Sequence, residues 1–217
     1  MSSNSPLVTY TDLSPNNSGV RTSPISRITP HCTAGLVTIE ALGRWFAASS
    51  TQASSNYGID RDGRVGLFVD EGCRAWTSGN RDNDQRAVTI ECASYDAPPY
   101  AFPAVTYARL IALCVDICQR NDKTTLLWIP DKDNALAYKP KPEEMLLTVH
   151  RWFSNKSCPG DWLMERMRQL ADTVTEMLRP ETIYRVQVGA FRDRTNAEQL
   201  LAKLAGCGFT GFIVEGR

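Results

Sequence analysis

Only two histidines occur in the 217 residues, and one of them, His150, stands eight residues before a cysteine, Cys158, with Lys156 between them. Imidazole and thiolate together make a donor pair that suits zinc. Met145 to Val149 is an apolar run that reads as a short buried strand ending at His150. The proline-bounded stretch that follows reads as a loop bringing the lysine and the cysteine back toward the histidine. The spacing is too long for one helical turn, so a loop has to close it. A second reading of these residues stands beside the metal: His150 ends a strand, Cys158 is a small buried apolar residue as most free cysteines are, and Lys156 is a solvated loop lysine.

The strands that would position such a site can be found in the same way. Arg27 to His31 reads as a strand that delivers the other histidine to its end. Val88 to Ala93 reads as a central strand, which puts the carboxylate of Glu91 inside a mostly apolar run. Burying an unpaired carboxylate is costly, so Glu91 is expected to be catalytic or metal-linked, or else held in a structural salt bridge. Seven cysteines, an odd number without regular spacing, do not form a disulfide framework. Cys114 and Cys118 read as reduced core thiols, and Cys32, next to His31 on an alternating strand, should point away from the metal.

Composition excludes several classes of function. With 24 basic and 24 acidic residues and 42% hydrophobic residues, the chain is an ordinary soluble globular sequence with no single-sign field to attract nucleic acid. No apolar run approaches the roughly 20 residues of a membrane-spanning helix. The opening Met1 to Pro6 lacks a basic segment followed by an apolar one, so synthesis in the cytoplasm without an export signal is expected.

The motifs resemble a known family. His150-Arg151 followed by Lys156-Ser157-Cys158-Pro159-Gly160 resembles the C-terminal zinc signature of the type 2 N-acetylmuramoyl-L-alanine amidases, a superfamily that includes peptidoglycan recognition proteins and phage amidase endolysins. The segment from Arg27 to Gly35, around His31, is similar to that family's first ligand motif. Ser54 to Val69, with an Asp62-Gly63 turn signal, reads as a hairpin and resembles the family's own, with Asn56 where histidine is commonest. Arg74-Ala75-Trp76, Asn83 and Ile90-Glu91 resemble a third block.

The resemblance implies a central mixed β-sheet flanked by helices, with zinc held by His31, His150 and Cys158. It further implies Glu91 as the proton-transferring carboxylate, Lys156 as an oxyanion stabiliser, Tyr57 near the metal water, and Trp76 and Asn83 along the substrate groove. The implied reaction is hydrolysis of the amide between N-acetylmuramic acid and L-alanine in peptidoglycan, after release of a phage or prophage endolysin. A module that only binds muropeptides, or a zinc peptidase cutting within the stem peptide, are the alternatives.

The remaining elements are read from pattern. Residues 5 to 26 read as an extended arm. Residues 37 to 49 read as a helix whose buried stripe is Ile39, Leu42, Trp45 and Phe46. Residues 106 to 121 form a core helix, Thr124 to Ile129 a strand, and Pro130 to Glu144 a long surface loop that would wall the groove. Asp161 to Leu178 is a further helix, closing a catalytic domain at residues 1–178, with a linker at 179–182. Residues 183–217 alternate, turn helical over Thr195 to Ala205, and alternate again over Gly208 to Val214. This β-α-β run resembles the first half of a SPOR repeat, a family that binds peptidoglycan glycan, and its small size suggests truncation or self-association.

Overall fold

In the computed structural model of the chain, residues 4–180 and 186–215 are described. Among its described residues the first unit, Met1–Arg179, carries nine strands and six helices in the order β1 Val8–Thr11, β2 Asn17–Val20, β3 Arg27–Cys32, α1 Ile39–Ala47, β4 Tyr57–Ile59, β5 Val65–Leu67, β6 Cys73–Ala75, α2 Arg81–Arg86, β7 Ala87–Cys92, α3 Ala104–Arg120, β8 Thr125–Leu127, α4 Lys132–Ala137, β9 Glu144–Leu147, α5 Asp161–Met164 and α6 Met167–Leu178. The second, Pro180–Arg217, carries α7 Arg194–Gly206. No helix among the described residues is long and apolar enough to cross a membrane.

Seven strands make one mixed sheet in the order β1-β5-β4-β7-β3-β9-β8. The five from β4 through β8 lie parallel to their neighbours, while β5 runs antiparallel to β4. β3 and β7 are central and almost wholly buried. That is why Arg27–Cys32 and Ala87–Cys92 read as runs and not as alternations. α3 and α6 pack on each other, and the core joins Leu110, Leu113 and Ile117 to Leu163, Leu170 and Val174.

Several expectations are corrected. The segment read as an arm is part of the sheet: β1 pairs in parallel with β5, and β2 pairs antiparallel with β6. An otherwise open edge at β5 gives the short Val8–Thr11 stretch its ladder. Trp45 is 55% exposed, because Ile39, Leu42 and Phe46 line the inward side of α1 while Trp45 sits on the flank and stacks on Phe46 at 5.0 Å. The loop read over 130–144 contains α4, whose N-cap Asp131 accepts from Asn134 N at 2.8 Å. The helix read over 161–178 breaks into α5 and α6. In the second unit α7 forms with Asp193 as its cap, accepting from Thr195 N at 2.8 Å, but the described residues beside it make no strands. Tyr184 and Arg185 of the expected first strand lie outside the described residues.

One buried ion pair ties the hairpin to α3. The Glu71 side chain is fully buried and receives Arg120 Nη1 and Nη2 at 2.8 and 2.6 Å and Asn121 Nδ2 at 3.0 Å. A two-point guanidinium contact in a dry setting is strong only while both partners remain. Arg120→Ala is therefore expected to cost about 3–5 kcal/mol in urea unfolding, since it removes the two-point guanidinium contact from a buried carboxylate; a loss well under 1 kcal/mol would show that water reaches Glu71.

Candidate metal centre

The parallel register of β3 and β7 sets His31 opposite Glu91. His31 Nδ1 lies 3.7 Å from Glu91 Oε1. β9 flanks β3 on its other side, and His150 begins the 3-10 turn just beyond it, with the two imidazole centroids 4.8 Å apart. The chain then returns. Arg151 N donates to Cys158 O at 3.1 Å, Arg151 Nη1 donates to Asp161 at 2.9 Å and Nη2 donates to Ser157 O, which closes the loop. Gly160, at φ +87°, lets the loop leave: a Cβ there would stand 2.7 Å from Pro99 O and 2.8 Å from Tyr100 Cβ. Cys158 Sγ thereby reaches 3.4 Å from His31 Nδ1, across 127 positions of sequence.

One ligand atom from each of His31, His150 and Cys158 lies within 4.8 Å of the other two. Tetrahedral zinc with bonds near 2.0 Å to nitrogen and 2.3 Å to sulfur asks for separations of about 3.3 to 3.5 Å, so small side-chain movements suffice. The donors are also in the required chemical state. Burial, reinforced by His150, holds His31 well below the usual imidazole range, and burial followed by Lys156 holds His150 down too, so both rings are neutral. His31 Nε2 is buried with no protein hydrogen-bond partner.

Glu91 is pushed up to about 8, mainly by burial and then by Cys32, although 15% of its side-chain surface reaches solvent. Cys32 is turned toward the site, contrary to the alternation argument. Cys158 lies over the end of β3 and not on one of its faces, so both Cys32 and His31 reach it. Cys32 N donates to Cys158 Sγ at 3.4 Å, and the interaction between the two thiols draws Cys32 below the usual thiol range and pushes Cys158 well above it.

Trp76 and Lys156 line an open hollow of about 520 Å³ together with Arg74, Asn80, Arg81 and His150. Tyr57 and Asn83 are elsewhere. The Tyr57 ring is fully buried and its hydroxyl donates to Glu71 at 2.8 Å and accepts Ser5 N at 2.9 Å, so it cannot serve the metal water. Asn83 is also fully buried. Its Nδ2 donates to Thr29 Oγ1 at 3.1 Å, its Oδ1 accepts Thr148 Oγ1 at 3.0 Å, and Thr29 and Thr148 meet at 2.7 Å.

Those three residues explain how the histidines are held, and sequence reading missed two of them. Thr29 and Thr148 stand two places before His31 and His150, so each shares its histidine's side of the strand line. The repeated Thr-x-His spacing was the available signal. A satisfied polar knot between β3 and β9 fixes their relative slide, and with it the distance between the rings.

The comparisons fit this geometry. A family model described as N-acetylmuramoyl-L-alanine amidase matches residues 21–161. The chain belongs to this amidase family. A SPOR domain model matches residues 161–216, although α5 and α6 at its start lie in the first unit. Among solved structures, the amidase fold is similar to the catalytic domain of XlyA, at 19% identity over 76% of this chain and 97% of that one, with a TM-score of 0.54. It is similar to a selenomethionine derivative of AmpD at 17% identity, covering 79% and 99% of the two chains, TM-score 0.54. A Staphylococcus aureus hydrolase, AmiA, solved with its ligand, matches at 14% identity over 81% and 84%, TM-score 0.56. No curated protein matches.

The Glu91 environment gives a sign-definite test. In chelator, an unfolded chain ionises this carboxyl near 4.5 while the folded chain holds its proton to about 8, so its contribution to stability falls as pH rises through that window. Glu91→Gln removes the dependence. Relative to the parent, the variant should gain stability in urea unfolding between about pH 5 and about pH 8; parallel pH curves would place Glu91 in a solvated setting.

Proposed function

We propose that this chain is a zinc-dependent amidase that hydrolyses the bond joining N-acetylmuramic acid to L-alanine in peptidoglycan. The observation that carries this reading is the meeting of His31, His150 and Cys158 within 4.8 Å, beside the raised carboxyl of Glu91. These three residues would hold the metal, leaving a fourth position open as in catalytic zinc sites. Zinc bound there supplies Lewis acidity and a water that ionises near neutral pH.

The chain's own residues do the rest. A nearby cation draws the Glu91 carboxyl down from its metal-free value, so it becomes a base that takes a proton and returns it to the leaving amine. Lys156 is exposed on the loop before Cys158 and shares the hollow with His150, where its ammonium can stabilise a developing oxyanion. Trp76, Arg74 and Arg81 give the hollow a flat apolar surface and positive charge, suited to a sugar ring and to peptide carboxylates.

The proposed division of labour places catalysis in residues 1–178, a linker at 179–182 and wall binding in 183–217, supported by the SPOR match. A role in phage or prophage lysis is consistent with the endolysins that share the fold, one of them titled a mutant endolysin from Bacillus subtilis at 16% identity, TM-score 0.55.

Purified peptidoglycan digested with and without chelator tests the reading. The expected result is about one zinc per chain and chelator-sensitive release of stem peptides beginning in L-alanine. Muropeptide bound but left uncut would make the chain a binding module. Cys158→Ser should lose the metal while keeping its far-ultraviolet circular dichroism; full lytic activity in that variant would overturn the metal site. Lys156→Ala should lower kcat by about 10²–10³ with zinc retained, and an unchanged rate removes it from the mechanism. Deleting residues 180–217 should weaken cosedimentation with cell walls more than cleavage of small muropeptides, and equal cosedimentation would refute wall binding by that segment.

A further inference from the structure

The mechanism above leaves one nucleophilic side chain at the site without a task. Cys32 is not among the three metal-capable residues, yet it touches one of them: its N–H donates to Cys158 Sγ at 3.4 Å. Adding one N–Cα bond puts Cys158 Sγ within about 5 Å of Cys32 Cα. Cys32 and Cys158 are only partly buried, whereas Cys92, Cys114 and Cys118 are buried. A small polar oxidant can therefore reach this pair and not those three.

We propose that in the metal-free chain hydrogen peroxide converts Cys32 and Cys158 into a disulfide. One thiol of the pair, ionised, attacks one peroxide oxygen, the O–O bond breaks, and water leaves once the departing hydroxide takes a proton, giving a sulfenic acid. The partner thiol attacks that sulfur, the S–O bond breaks, and a second water leaves as the S–S bond forms. Two thiols lose two electrons, and the peroxide is reduced to two waters. The disulfide consumes the only sulfur donor of the cluster. Metal and disulfide therefore exclude each other, a statement that rests on the zinc reading of the preceding subsection, whereas the disulfide itself does not.

The full chain, stripped with chelator, is treated with hydrogen peroxide, alkylated and digested without reductant. The expected product is a peptide pair linked through Cys32 and Cys158, absent from Cys32→Ser and from Cys158→Ser, and returned to free thiols by dithiothreitol. In each single variant the remaining cysteine, deprived of its partner, should persist as a sulfenic acid and accept a dimedone label. No linked pair in the parent chain, or linkage of either residue to Cys73 or Cys207 instead, overturns the proposal. Repeating the oxidation with free zinc about ten times above its Kd should leave about one-tenth of the chains metal-free and lower the initial rate of linkage about tenfold. Disulfide formation indifferent to zinc upholds the Cys32–Cys158 pair and overturns Cys158 as a metal ligand.

Discussion

The parallel ladder between β3 and β7 is the constraint on which the rest depends. All six residues of Arg27–Cys32 pair in register with Ala87–Cys92, so His31 and Glu91 are neighbours by backbone geometry before any side chain is placed. A slip of one residue would send one of them to the opposite face. β9 adds to the free side of β3 and brings His150 to the same end of the sheet. The site thus lies beyond the carboxyl ends of parallel strands, where open α/β sheets commonly put their chemistry.

Desolvation then decides what those residues are. At the mouth of a core made of Ile28, Val88, Ile90 and Val149, burial disfavours the charged forms of His31, His150 and Glu91. For the imidazoles this is useful, because only a neutral ring offers a lone pair. For Glu91 it keeps the proton in place until a cation arrives. Placing polar groups here without compensation would be costly, and the Asn83-Thr29-Thr148 knot supplies part of the compensation by satisfying three buried side chains at once. The Trp128 and Trp152 rings, stacked 5.2 Å apart at 6°, seal the apolar side of the turn that bears His150.

The ligand candidates and the central strands were legible because each carried a local signal: a histidine ending an apolar run, a carboxylate within one, an Asp-Gly turn between short strands. What was not legible required long-range pairing. Val8–Thr11 is only a strand because β5 offers it an edge, and Tyr57 faces Glu71 because α3 presents Arg120 there. Asn83 sat in a motif-like block, but the N-cap of α2 turns it inward, with Asn80 Oδ1 accepting Asn83 N at 2.9 Å. Cys32 escaped because alternation describes the faces of a strand and not its end. Over the second unit the alternating Val186, Val188, Phe212 and Val214 promised strands, yet these side chains are 61–86% exposed, and two short strands without a third layer hold little on their own.

The position of α6 marks where this chain can be divided. The SPOR match begins at Asp161, but Met167, Leu170, Ala171 and Val174 are buried in the amidase core and the compact unit closes only at Arg179. Each large apolar side chain of that row contributes about 1.5–3 kcal/mol, so losing them together would consume a good part of the roughly 5–15 kcal/mol that a domain has. A cut at residue 161 would take the last core helix away from the first unit. The junction at Arg179–Pro180 is where a foreign module can be grafted with the sheet and its histidines left intact.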